Sequence, residues 1–321
     1  MTEAGKGVGA MALACTIWGL SPLYYKLLTQ VPSLELLSHR TLWSLVFFGV
    51  LLAMQGRLAL VPRLLASGAL PVVTLAAVMI SVNWFLFIHS VQIGKTVEAS
   101  LGYYIFPLVA VMIGMIAFGE RLSRGQGLAV GLALGAVVVL TLGLGVAPWI
   151  SLALAFTFGV YGLVKKRLSV GPVVSVTAEI LVLSPLAALW LLVVHGGDMV
   201  EFGRPGGWFG RDLQTSALLA FSGVLTAGPL ILFSYATRRI SMATVGLVQY
   251  LNPTLQFLCA VLVFAEPFTR WHGLAFAMIW AALAVYSWES LRIDRRIRNS
   301  VQPSAAHNRS VSAGTSGTSV K

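Results

Sequence analysis

Residues 86–130 and 232–276 align without a gap at an offset of 146 residues, and eleven of the 45 paired positions are identical. The matches include Tyr104/Tyr250, Pro107/Pro253, Glu120/Glu266, Arg124/Arg270 and Gly127/Gly273. These are residue types that apolar composition alone seldom pairs in order. The chain therefore reads as a duplicated unit, and in a chain this apolar a duplicated unit points to a membrane protein that moves something.

Of the 321 residues, 57% are hydrophobic and 10% charged, against about 25% charged in a soluble domain. So much apolar surface needs lipid as its solvent. The net charge of +11 lies in short loops and the C-terminal tail. Positive charge there orients membrane helices, so nucleic acid is not an expected partner. Cys15 and Cys259 both sit in apolar runs, which argues against a disulfide framework or a zinc site built on cysteine. Lys6 ahead of an apolar run imitates a signal peptide. Met11–Cys15 resembles a poor lipoprotein cleavage site, with Ala12 where Leu is usual. Because further spans follow, an uncleaved first helix is expected.

Ten apolar segments can be marked, at about 8–26, 36–55, 72–91, 98–118, 125–144, 149–165, 174–194, 214–236, 243–264 and 271–290. Each approaches the roughly 20 residues that a helix needs to cross hydrocarbon. Strand alternation is missing, so the predicted fold is an all-α integral membrane protein of ten transmembrane helices. With the N-terminus inside, 16 of the 22 Lys and Arg residues fall on the cytoplasmic side. An even number of spans then places both termini in the cytoplasm. The expected division is a first repeat at 1–145, a second at 146–291 and a basic, disordered tail at 292–321. Five spans per half is odd, so the second repeat enters the membrane inverted. That is the plan of many secondary transporters. The loop 195–213 is expected to be a flexible outer cover.

Ionisable groups near hydrocarbon are functional candidates by default. Glu98, His39, Arg40 and Glu179 are the strongest, with interfacial anchoring or a helix-tying Glu–Arg pair as the alternative. Pro107 and Pro253 lie near mid-span and free the carbonyls of Tyr103 and Gln249, as paired hinges or as fixed bends. Gln249, Asn252 and Gln256 share one helical face, as do Trp18, Ser21, Pro22 and Tyr25. With Asn83, Trp84, Tyr103, Tyr104 and Tyr250 they would line an apolar, aromatic cavity for a small organic molecule. Interhelical hydrogen bonding is the competing role. Gly127, Gly131 and Gly135 form a small-residue stripe for packing against a neighbouring helix or, in a homodimer, a second protomer.

The motifs Ile17-Trp18-Gly19, His39-Arg40-Thr41-Leu42-Trp43-Ser44, Asn83-Trp84, Glu98-Ala99-Ser100-Leu101-Gly102-Tyr103, Gly119-Glu120-Arg121, Tyr161-Gly162-Leu163-Val164 and Gln249-Tyr250 resemble the RarD group of the EamA family. That family belongs to the drug/metabolite transporter (DMT) superfamily, and the resemblance covers about residues 8–291. It implies two inverted five-helix repeats and a central cavity lined by helices 1–4 and 6–9, with helices 5 and 10 outside. It also implies a permease of the bacterial inner membrane for small organic metabolites or drugs, working by alternating access as an exporter, without a cofactor. Small multidrug members of the superfamily exchange protons on a glutamate in the first helix. This chain has Thr16 and Trp18 there, so the resemblance does not extend to that coupling site. An intramembrane enzyme would need a set such as H-E-x-x-H, and ATP drive a G-x-x-x-x-G-K-[ST] loop. Neither occurs. A passive channel or lipid scramblase is the remaining alternative.

Overall fold

A computed structural model describes residues 2–118, 123–165, 167–197, 200–201, 203–240, 242–289 and 292. The described residues are almost wholly helical. In chain order the helices are α1 (Glu3–Lys26), α2 (Ser33–Met54), α3 (Leu60–Gln92), α4 (Thr96–Phe118) and α5 (Arg124–Leu144). The second set is α6 (Trp149–Lys165), α7 (Pro172–Gly196), α8 (Leu213–Thr237), α9 and α10 (Arg270–Glu289). Helix α9 is built of two short pieces, Met242–Gln249 and Leu251–Leu258, and a wide turn at Cys259–Val263. Each set keeps the apolar length expected of a span, with α6 the shortest at 17 residues. All ten predicted segments fall within these helices or a residue or two beyond them.

Local signals in the sequence fix the helix ends. Thr2 caps α1 by accepting from the Gly5 amide, and Ser123 and Gln126 form a reciprocal capping box on α5. Pro172 opens α7 at a position where a missing N–H costs nothing. Helix α3 begins with a short stretch broken at Gly68, whose φ of +78° only glycine adopts freely.

The packing follows a two-fold pattern. Helix α1 packs along α8 and α9, and α6 packs along α3 and α4, its counterparts in the other half. Helices α2 and α7 pack against each other, as do α4 and α9. Helices α5 and α10 join the cluster built on α4 and α9. Several contacts are close enough to require glycine. A Cβ on Gly223 would lie 2.6 Å from the carbonyl carbon of Trp43, and one on Gly102 would lie 2.8 Å from the Ser151 oxygen. Small residues that let backbones approach in this way are what hold membrane helices together.

Two expectations take a more definite form. Gly127 and Gly131 have open space where a side chain would project; of the stripe, only Gly135 meets a neighbour, Met278 of α10. The 195–213 loop carries a small antiparallel hairpin, Val200–Glu201 with Arg204–Pro205. It is pinned down rather than loose: the Glu35 carboxylate accepts from the Gly207 and Trp208 amides, and Glu201 accepts from the Leu34 amide. Burial pushes the Glu201 carboxyl above the usual carboxylate range, against the pull of the Leu34 amide. At the start of α8 the Thr215 amide holds Asp212 below that range. Glu120, Arg121 and the tail beyond 292 lie outside the described residues.

Candidate functional site

Eight helices enclose a cavity of about 720 Å³ between the two halves, within the several-hundred-Å³ range of small-molecule sites. Its walls come from α1–α4 and α6–α9, and Tyr286 and Ser287 at the end of α10 complete it. Trp18, Trp84, Tyr103, Phe158, Phe233 and Tyr250, with five further rings, give about a third of the wall an aromatic face. The lining reaches Lys165, Pro172, Gly246 and Ser287, at the bundle end where α6 and α10 finish and α7 and α9 begin. At the other end it stops below Gln92, which donates to the Leu28 and Val31 carbonyls and accepts from Arg204 of the hairpin loop.

Arg40 and Lys165 are the two cations in the lining, and no Asp or Glu is part of it. They differ in compensation. The Lys165 ammonium lies 2.6 Å from the Glu179 carboxylate, which also accepts from the Tyr161 hydroxyl at 3.1 Å. Glu179 is 1% exposed, so the pair is a buried ion pair set into the wall. Among the described residues Arg40 is held by neutral groups. Its Nε donates to Thr226 at 2.7 Å and its Nη1 to the Tyr25 hydroxyl at 2.9 Å. Its guanidinium sits 4.1 Å from the centre of the Trp84 ring. Among the described residues no carboxylate lies within 4.0 Å of it. The cavity thus carries one uncompensated positive charge, fixed by side chains from α1, α3 and α8.

The polar positions around this charge are locked in turn. Asn83 donates to the Leu154 carbonyl and to Thr157, and its oxygen accepts from the Tyr103 hydroxyl at 2.8 Å. This one amide ties α3 to α6 and α4. Gln256 donates to Asn252 at 2.9 Å, and its own oxygen has no partner among the described residues.

Of the sequence candidates, Trp18, Arg40, Asn83, Tyr103, Gln249 and Tyr250 line the cavity, as do Pro107 and Pro253. Four do not. Tyr104 turns away toward α9 and α10, where its hydroxyl meets Thr254 at 2.6 Å and its ring packs on Phe276. Neighbours on a helix point about 100° apart, and here that angle carries Tyr104 out of the wall that Tyr103 lines. Glu98 stays at the helix end in a partly exposed pair with Lys95 at 3.2 Å. His39 precedes Arg40 by one residue and is swung by the same angle onto Phe209 of the 195–213 loop, ring centres 4.9 Å apart. Glu179 lies behind Lys165 rather than in the lining.

The two prolines are also unequal. Helix α4 runs unbroken through Pro107, whereas α9 is interrupted at Tyr250, three residues before Pro253. Of these two proline helices, α9 alone is interrupted. The repeated glutamate has a structural use: Glu266 accepts from the Thr96 and Val97 amides and so caps α4. Sequence reasoning missed Lys165 by placing it among loop charges. The available signal was Glu179 itself, since a carboxylate that deep needs a cation nearby.

The family model of the EamA-like transporter family matches residues 5–142 and again 146–288. The protein RarD of Streptomyces exfoliatus is 42% identical over 302 residues, covering 93% of this chain and 92% of that relative. The uncharacterized transporter YojE of Bacillus subtilis (strain 168) is 38% identical, covering 91% of this chain and 97% of its own. The protein RarD of Escherichia coli (strain K12) is 37% identical, covering 92% and 98%. A solved crystal structure superposes with a TM-score of 0.58 at 18% identity, covering 90% of this chain and 99% of that one. At that identity it speaks for the fold alone.

Proposed function

Because this chain belongs to the EamA-like transporter family, we propose that it is a secondary transporter for small organic metabolites or drugs, working by alternating access. It is a multi-pass membrane transporter of the drug/metabolite transporter superfamily and not an enzyme. In our reading it sits in the bacterial inner membrane as two inverted repeats, residues 1–145 and 146–291, with both termini cytoplasmic, and it exports. The charge bias then makes the end at Lys165 and Ser287, which the cavity lining reaches, the cytoplasmic one.

One observation carries the substrate class: the uncompensated Arg40 guanidinium in a cavity rich in aromatic rings whose lining holds no carboxylate. A charge in a low-dielectric wall favours a counter-charge, and Arg presents a fork suited to carboxylate or phosphate. The preferred cargo is therefore a small organic anion with a flat apolar body. A thermal-shift panel on purified protein tests this, because a ligand that binds the folded state raises its melting point by mass action. Aromatic carboxylates are expected to raise the midpoint by several degrees more than their amides or matching aromatic amines. Equal shifts for anions and cations would contradict the assignment.

A further inference from the structure

We propose that Glu35, His39 and His195 form a binding site for a divalent transition ion of the Zn²⁺ class at the outer end of the bundle, separate from the transport cavity. One candidate ligand atom from each residue lies within 4.8 Å of the other two. Glu35 and His39 are one helical turn apart on α2, at i and i+4, and therefore share a face. His195 comes from the last turn of α7.

Three features mark this as a built site rather than a chance grouping. His39 is 5% exposed, and its buried Nε2 has no hydrogen-bond partner among the described residues. An orphaned buried ring nitrogen calls for an explanation, and an electron-pair acceptor supplies one. His195 uses Nδ1 to donate to the Leu191 carbonyl at 2.9 Å. That bond leaves the lone pair on Nε2, the usual way a metal-binding histidine is oriented. Finally, the Glu35 carboxylate is fully buried and steadied by the Gly207 and Trp208 amides at 2.9 and 2.7 Å. Each of its oxygens keeps a further lone pair.

Two imidazoles and one carboxylate suit zinc in a site with an open position, and they do not suit Mg²⁺ or Ca²⁺, which favour all-oxygen shells. Bonds of about 2.0–2.1 Å place tetrahedral ligand atoms about 3.4 Å apart. Closing from 4.8 Å takes movements of about an ångström, which side-chain rotation at the exposed His195 can provide. The ion would fasten the outer ends of α2 and α7, the pair that faces across the two-fold arrangement. The site does not depend on the cargo of the cavity.

The experiment uses tag-free, chelator-treated protein in detergent. ZnCl₂ is expected to raise the thermal midpoint with micromolar affinity, with MgCl₂ inert. CoCl₂ is expected to give the visible absorption bands of a histidine-ligated site. His195→Ala removes only an exposed ligand, so the fold survives, and affinity for Zn²⁺ is expected to fall by about 10- to 100-fold with loss of the Co²⁺ bands. His39→Gln is expected to do the same. Wild-type protein that shows no Zn²⁺-dependent shift, or a His195→Ala variant that binds Zn²⁺ as tightly as wild type, would overturn the proposal.

Discussion

Replacing Arg40 by methionine is expected to weaken binding of an aromatic carboxylate by about 10- to 100-fold, the range of a lost charge-assisted hydrogen bond at about 1.5–3 kcal/mol. The residue is only 6% exposed, yet its partners are the hydroxyls of Tyr25 and Thr226 and the face of Trp84. None of these becomes an unpaired charge when the guanidinium goes, so the variant should still fold. Methionine keeps the apolar contact with Trp84. Arg40→Lys should fall between the two, since an ammonium keeps the charge and loses the planar fork. Thermal shifts with the carboxylate, measured beside a neutral analogue, check this. Undiminished anion preference in Arg40→Met would remove Arg40 from the site.

The second large effect concerns the other cation. Lys165→Ala leaves Glu179 buried against Tyr161 without its counter-charge. Breaking a buried pair from one side costs about 3–5 kcal/mol, whereas removing both charges is often neutral. Lys165→Ala is therefore expected to lower the melting midpoint sharply, and Lys165→Met with Glu179→Leu to recover most of it. The recovered double variant also separates structure from transport. If Lys165 serves only to neutralise Glu179, cargo binding returns with stability. A double variant as unstable as the single one would contradict the pairing.

The span pattern was readable because apolar length is a one-dimensional property and hydrocarbon thickness fixes it. The same holds for the polar faces of the first and ninth spans, where Trp18, Ser21, Gln249, Asn252 and Gln256 repeat at helical spacing and do line the cavity. What could not be read was the rotation of each helix about its axis. His39 and Arg40 are adjacent and both cationic candidates in the sequence, yet one faces the 195–213 loop and the other the cavity. Tyr103 and Tyr104 divide in the same way. That choice is made by contacts with helices distant in the chain, such as Thr226 for Arg40 and Thr254 for Tyr104. Lys165 was hidden for a related reason: beside Lys166 and Arg167 it looks like part of a loop charge run, and only packing brings Glu179 to it. The proline pair shows the limit of symmetry. Equivalent residues sit in an unbroken α4 and an interrupted α9, so duplication predicted the positions and not the bend.

The central claim is that this one cavity is exposed to each side in turn, and counterflow tests it most directly. Proteoliposomes would be loaded with excess unlabelled aromatic carboxylate, chosen from the thermal panel, and diluted into a trace of the labelled compound. Alternating access predicts a transient accumulation of label above its equilibrium level, because a returning carrier meets mostly unlabelled cargo inside. A simple monotonic approach to equilibrium, unaffected by the internal load, would contradict the account and indicate a passive pore.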